Sequence, residues 1–93
     1  MTPSDVARSA ALLLERGWTA TDPATDADGK QCAAWHPLAR AWSLVGAVCA
    51  VRCPDHLRLS LLGRFKVVHG KTIHEFRGGR DECVEALRRC TQD

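Results

Sequence analysis

The sequence predicts an α+β fold, mainly helical: a small helical domain with a central buried helix and one β-hairpin before the C-terminal helix. Three observations predict it. Apolar residues recur at helical spacing over residues 6–14, 38–51 and 83–90, which is the signature of helices with a buried stripe. The period shortens to two across "FKVVHGKTIHEF", residues 65–76, as it does in strands. Finally, 93 residues that are 45% hydrophobic and 26% charged suffice for one core, so residues 1–93 read as a single globular domain.

The first helix is announced by Thr2 and Pro3, an N-cap followed by proline at the first helical position, with Asp5 in the turn where the helix dipole favours negative charge. It runs to about Arg16. Val6, Ala10, Leu13 and Leu14 form its apolar stripe, Gly17 is expected as a left-handed stop, and Trp18 folds back onto the stripe. Residues 19–36, rich in Thr, Asp, Ala and Pro, read as a long connection with a turn at Asp28 and Gly29. Its Asp22, Asp26 and Asp28 lack the downstream bidentate Glu of a calcium loop, and an acidic solvated loop is the expected reading.

Pro37 opens the predicted central helix, residues 37–52. Leu38, Trp42, Val45 and Cys49 make one apolar line, Leu44, Val48 and Val51 another, and small residues around Gly46 leave room for a neighbouring helix. Pro54 stops it and Asp55 caps a short third helix, residues 56–65, with Leu57, Leu61 and Leu62 inward. The hairpin then turns at Gly70 and Lys71, which sets Phe65 opposite Phe76, Lys66 opposite Glu75 and Val68 opposite Ile73. "GGR" at residues 78–80 leads into the last helix, about Arg80 to Thr91. Asp81 and Glu82 occupy its first turn and Arg88 and Arg89 its last, with Cys83, Val84, Leu87 and Cys90 inward.

The longest uncharged run, Ala41 to Val51, is eleven residues, shorter than the roughly 20 that cross a bilayer. No membrane contact is expected. The N-terminal segment has amphipathic spacing rather than the basic start and apolar run of a signal peptide, so a cytoplasmic location with reduced cysteines is expected. Cys49, Cys53 and His56 stand at intervals of four and three, a spacing compatible with zinc. Pro54 interrupts the helix between them and Cys49 lies on the apolar line, so buried thiols at Cys49, Cys83 and Cys90 are expected, with no metal and no cofactor. His69 and His74 near Cys83 raise a Cys/His nucleophile only weakly. With no nucleophile elbow, phosphate-cradling glycine loop or paired carboxylates, the chain reads as a non-enzyme.

The strongest polar feature is basic. Residues 1–50 carry four Lys/Arg against five Asp/Glu, and residues 51–93 carry nine against six, so any acidic partner is met by the second half. Arg58, Arg64, Lys66, Lys71, Arg77 and Arg80 are the candidate interface residues. They suit a protein partner through an arginine-rich surface, or nucleic acid through phosphate contacts with Phe65 and Phe76 stacking.

Four stretches also carry a resemblance: "LLLERGW" at 12–18, "DG" at 28–29, "AWSLVGAV" at 41–48 and "GRDECVEAL" at 79–87. Together they resemble a family of small uncharacterised proteins of high-GC bacteria and their phages. That family's pattern is a helix ending in Gly-Trp, a variable loop, a Trp-Cys-Leu-x-Gly-Ala helix, and a closing helix reached through a Trp-Asn-Asp and Gly-Arg-Thr segment. Ser43 stands where the family has Cys, and "HEFRGGR" lacks the Asn-Asp pair. The resemblance implies a helical domain and, through phage carriage, a regulator that inhibits a bacterial defence assembly by occupying its surface.

Overall fold

The computed structural model describes residues 1–20 and 22–91; Thr21, inside the predicted connection, and Gln92 and Asp93 lie outside the described residues. The fold is α+β and mainly helical. Its elements are α1 (Pro3–Arg16), β1 (Ala24–Thr25), β2 (Gln31–Cys32), β3 (Ala41–Trp42), α2 (Leu44–Ala50), α3 (Asp55–His69) and α4 (Arg80–Arg88), the last continued by a 3-10 turn, Arg89–Thr91.

Helix α1 sits in the middle, packed against α2, α3, α4 and the 3-10 turn. Its start is fixed locally: Thr2 Oγ1 accepts from Asp5 N at 3.2 Å while the Asp5 carboxylate accepts from Thr2 N at 2.8 Å, a reciprocal capping box. Those backbone contacts, from Thr2 above all, hold the Asp5 carboxyl below its ordinary value. Ser4, Val6, Ala7, Ala10, Ala11 and Leu14 are buried, and the small side chains among them let three helices approach one axis. Phe65 and Leu61 from α3, Leu87 from α4 and Val48 from α2 complete the interior.

The strands lie where the sequence suggested only a connection. β1 pairs antiparallel with β2 and with β3, in the order β2-β1-β3. The turn between β1 and β2 is organised by Asp26, whose Oδ1 accepts from Asp28 N at 2.9 Å and Lys30 N at 3.0 Å, with Gly29 at a positive φ of 79°. The acidic loop is therefore a hairpin tip in which one carboxylate replaces missing backbone partners.

Five expectations are corrected. The hairpin over residues 65–76 is not formed: α3 continues through Phe65 to His69, and Gly70, at φ 74°, ends it by donating its N–H to Lys66 O at 2.8 Å. A left-handed glycine serves a helix C-cap as well as a tight turn, and the apolar positions 57, 61 and 65 run at an unbroken four-residue step. The helix predicted over residues 37–52 as the central one spans only Leu44–Ala50, because Ser43 Oγ caps it by accepting from Gly46 N at 3.1 Å and residues 41–42 are committed to β3, and α1 takes the central place instead. Cys49 is consequently exposed rather than buried, while Cys83 and Cys90 are buried. Gly17 is extended, not left-handed; its need for glycine is space, since a Cβ there would lie 2.0 Å from Arg40 O. Gly46 is needed for the same reason, but its close neighbour is the Pro23 carbonyl, 1.7 Å from a built Cβ, and not another helix.

One contact survives the loss of the hairpin. Phe65 and Phe76 meet edge-on with ring centroids 5.6 Å apart, and His69 joins them at 4.4 and 5.8 Å. The chain returns through a single capped turn, in which Glu75 Oε1 accepts from Thr72 N and Thr72 Oγ1 at 3.1 and 3.0 Å. Among the described residues, no helix is long and apolar enough to cross a membrane.

Candidate functional site

The predicted basic surface divides when the chain folds. Arg58 turns inward: its Nε donates to Val48 O at 3.2 Å and its Nη2 to Val51 O at 2.6 Å, carbonyls at the end of α2, while Nη1 pairs with Asp55 at 2.8 Å. A seven-residue helix leaves its last carbonyls without helical partners, and α2 has no basic residue of its own there, so Arg58 supplies the donors. Arg64 is likewise internal, its Nη1 donating to Ser4 Oγ at 2.8 Å and Cys90 O at 2.9 Å, which ties α3 to the start of α1 and the end of the chain's last turn. Lys66 and Lys71 are exposed near the C-terminal end of α3. Arg80 opens α4 beside Asp81, at 3.4 Å, in a setting shared with Glu15 and Glu85. The six cations thus do not form one face.

Arg77 is different, because it borders a groove. An open depression of about 500 Å³ lies between residues 18–20 and Pro23, the start of α2 and the segment 73–78. Trp18, Pro23, Val45, Ile73 and Phe76 give it apolar walls, Ser43, His74 and Arg77 supply polar groups, and Cys83 closes it from α4. Among the described residues no carboxylate lines it; the Arg77 guanidinium stands at its edge, and the Glu82 carboxylate lies behind Gly78, 2.9 Å from where a Cβ there would be. Arg77 is held in place by its own loop: Nη1 donates to His74 O at 2.8 Å and to Phe76 O at 3.2 Å. That leaves Nε and Nη2 without a partner among the described residues, the geometry of a fork able to receive a carboxylate.

The groove exists because three local features converge. Trp18 is drawn across β3 by Thr19 N donating to Trp42 O and Trp42 N donating to Gly17 O, both at 3.1 Å. Ser43 fixes the first turn of α2 and so presents Val45. The Thr72–Glu75 turn buries Ile73 and brings Phe76 and Arg77 to the rim. The sequence carried a signal for this turn, the Thr-x-x-Glu capping-box spacing at residues 72–75, which the strand-like alternation masked.

Cys83 and His74 line the same groove, yet the thiol is buried, donates to Gly78 O at 3.8 Å, and is pushed above its ordinary pKa by burial and by the nearby Glu82 carboxylate. An attacking thiolate requires the opposite shift. Cys49, Cys53 and His56 are not assembled into a metal site: Cys49 and His56 are exposed and Cys53 is half-buried on separate elements. Among the described residues no three His, Cys, Asp or Glu side chains form a group able to hold a metal ion. A second apolar feature, the exposed pair Trp35 and Leu38, sits in the loop after β2 and does not line the groove.

No family model matches the chain, and no curated protein or solved structure matches it either.

Proposed function

We propose that the chain is a small non-enzymatic protein-binding module whose groove takes a short apolar segment of a partner bearing a carboxylate. The observation that carries this reading is the pairing of an apolar-walled groove with one guanidinium fixed at its rim and no carboxylate among its described lining residues. Pockets that hold peptides or small ligands combine such walls with a few polar groups that set orientation. Burying a carboxylate against a cation already fixed by its own loop also costs less ordering than recruiting a free side chain. In the setting implied by the resemblance, the module is a cytoplasmic phage or mobile-element regulator, and the bound segment belongs to a bacterial defence assembly whose surface it occupies.

Nucleic acid is the alternative partner and draws less support, since Arg58 and Arg64, two of the six candidate cations, direct their donors into the protein. A randomised peptide array probed with the purified chain separates the readings. Retained peptides are expected to share two or more apolar residues beside Asp, Glu or a free C-terminus. Arg77→Ala is expected to weaken them about tenfold, the loss of one charge-assisted contact of ~1.4 kcal/mol. Retention of duplex DNA instead, with affinity falling by about 0.9 log unit per phosphate contact per decade of salt, overturns the proposal.

A further inference from the structure

β3 is not the outermost chain of the sheet. Residues 17–19 run beside it in parallel, with Trp18 bridged to Trp42. Thr19 N donates to Trp42 O and Trp42 N to Gly17 O, both at 3.1 Å, and Gly17 is extended at φ −174° and ψ 136°. In an extended chain successive residues direct their N–H and C=O to opposite edges. Because Gly17 O and Thr19 N face β3, the N–H and C=O of Trp18 face away from it, and among the described residues neither has a hydrogen-bond partner. The groove lies along this same stretch, with Trp18, Thr19 and Ala20 on one bank and residues 73–78 on the other.

We infer that the groove takes its partner as an added strand: an internal, extended segment of another protein whose main chain pairs with Trp18 and whose Asp or Glu side chain reaches Arg77. The inference rests on the peptide-binding reading above. An unpaired N–H and C=O on a strand edge beside an open groove form the template on which extended segments add, main-chain bonds holding the segment while alternate side chains meet the pocket walls. Pro23, Val45, Ile73 and Phe76 supply those walls. Arg77, fixed through Nη1, offers Nε and Nη2 to a carboxylate as a bidentate pair. A chain end, by contrast, is held in a nest of successive backbone N–H groups that requires a left-handed residue. The described residues at positive φ are Gly29 and Gly70, and neither lines the groove. The carboxylate is therefore a side chain, and the segment passes through the groove rather than ending in it.

Trp18 offers a single donor and a single acceptor, so main-chain pairing sets the direction of the segment while its side chains supply most of the affinity. The other edge of the sheet, β2, does not line the groove, and a strand added there would meet neither the apolar walls nor the guanidinium.

Backbone amide exchange of the isotope-labelled chain, followed by NMR, reads the added strand directly. The probe is the tightest peptide of the array, synthesised with an acetylated N-terminus and an amidated C-terminus. In the free chain the Trp18 amide is expected to exchange faster than those of Thr19 and Trp42, and saturating peptide to slow it at least about tenfold. N-methylation of the one peptide amide that faces Trp18 is expected to weaken binding about tenfold, and methylation of either neighbour to leave it within about twofold. Replacing the peptide's Asp or Glu by its amide weakens binding about tenfold, and Arg77→Ala weakens that amide peptide no further. Binding that shifts the Val45, Ile73 and Phe76 resonances while Trp18 exchange stays unchanged overturns the inference and leaves the peptide-binding reading standing. So does a peptide that binds only with a free C-terminus. An array that retains no peptide removes both.

Discussion

Replacing Arg58 by alanine tests whether the basic segment holds the fold or meets a partner. Its guanidinium donates to Val48 O and Val51 O, two carbonyls that α2 cannot satisfy after ending before Pro54. A hydrogen bond from a charged donor contributes ~1.5–3 kcal/mol, but the side chain is 22% exposed and water reaches part of the gap. A loss of about 2–3 kcal/mol is expected from a domain whose total stability is ~5–15 kcal/mol. At about 4–8 °C per kcal/mol for a chain of this size, the melting temperature falls by roughly 8–24 °C. Thermal and urea unfolding followed by circular dichroism measure it, with Lys66→Ala, on the exposed side of α3, expected to stay within ~0.5 kcal/mol of the parent. Arg58→Lys falls between, because an ammonium cannot span both carbonyls. If Arg58→Ala melts within about 2 °C of the parent, the clamp carries no stability and the reasoning fails.

Three further outcomes are expected. Gly46→Ala, whose new Cβ would sit 1.7 Å from Pro23 O, destabilises by more than about 2 kcal/mol in urea titration, whereas Gly63→Ala, in open space inside α3, stabilises by about 0.5–1 kcal/mol. The two signs must differ. Alkylation of the native chain followed by mass spectrometry labels exposed Cys49 first and leaves Cys83 and Cys90 unmodified until the chain is unfolded. Burial raises the pKa of both inner thiols above the ordinary 9.0, so the stability they contribute is complete below that pH and is lost as pH rises through their folded values. Urea titrations above about pH 9 should therefore show a decline that a Cys83→Ala/Cys90→Ala variant lacks.

Elements whose signals are local were legible in the sequence. Thr2, Pro3 and Asp5 specify the start of α1 within one turn, and the charges of Asp81, Glu82 and Arg88 frame α4. The stretch 65–76 reads as a hairpin because Phe65, Lys66 and Val68 find matching partners in Phe76, Glu75 and Ile73 across Gly70, and because Gly70 suits a turn and a helix cap equally. The Phe65–Phe76 contact was nonetheless foreseen, since a hairpin and a helix followed by a reversed loop both return the chain on itself. The three strands are two residues each and held by pairing β2 and β3 to either side of β1, which no periodicity over so short a span can reveal. Within the candidate site, Arg77 was legible as a cation but not as the edge of a groove. In the same way, nothing local separates Arg58 and Arg64 from Lys66, because the carbonyls they bind come from other elements. Burial of a charge is a tertiary fact.

The placement of α1 governs when the chain can fold during synthesis. Its apolar stripe is covered on one side by α4 and the 3-10 turn, and the join is made by Arg8 donating to Thr91 O at 3.3 Å and by the Glu15–Arg88 ion pair. On the ribosome, α1 emerges before α4, and this covering arrives more than sixty residues later, several seconds on at about 5–20 residues per second. Throughout that interval Val6, Ala10 and Leu14 have no complete pocket to enter, and only the arrival of residues 80–91 supplies one. A chain halted before α4 therefore keeps the side of α1 that α4 covers open to solvent even where α2 and α3 have packed, the kind of exposed apolar surface that chaperones and proteases recognise.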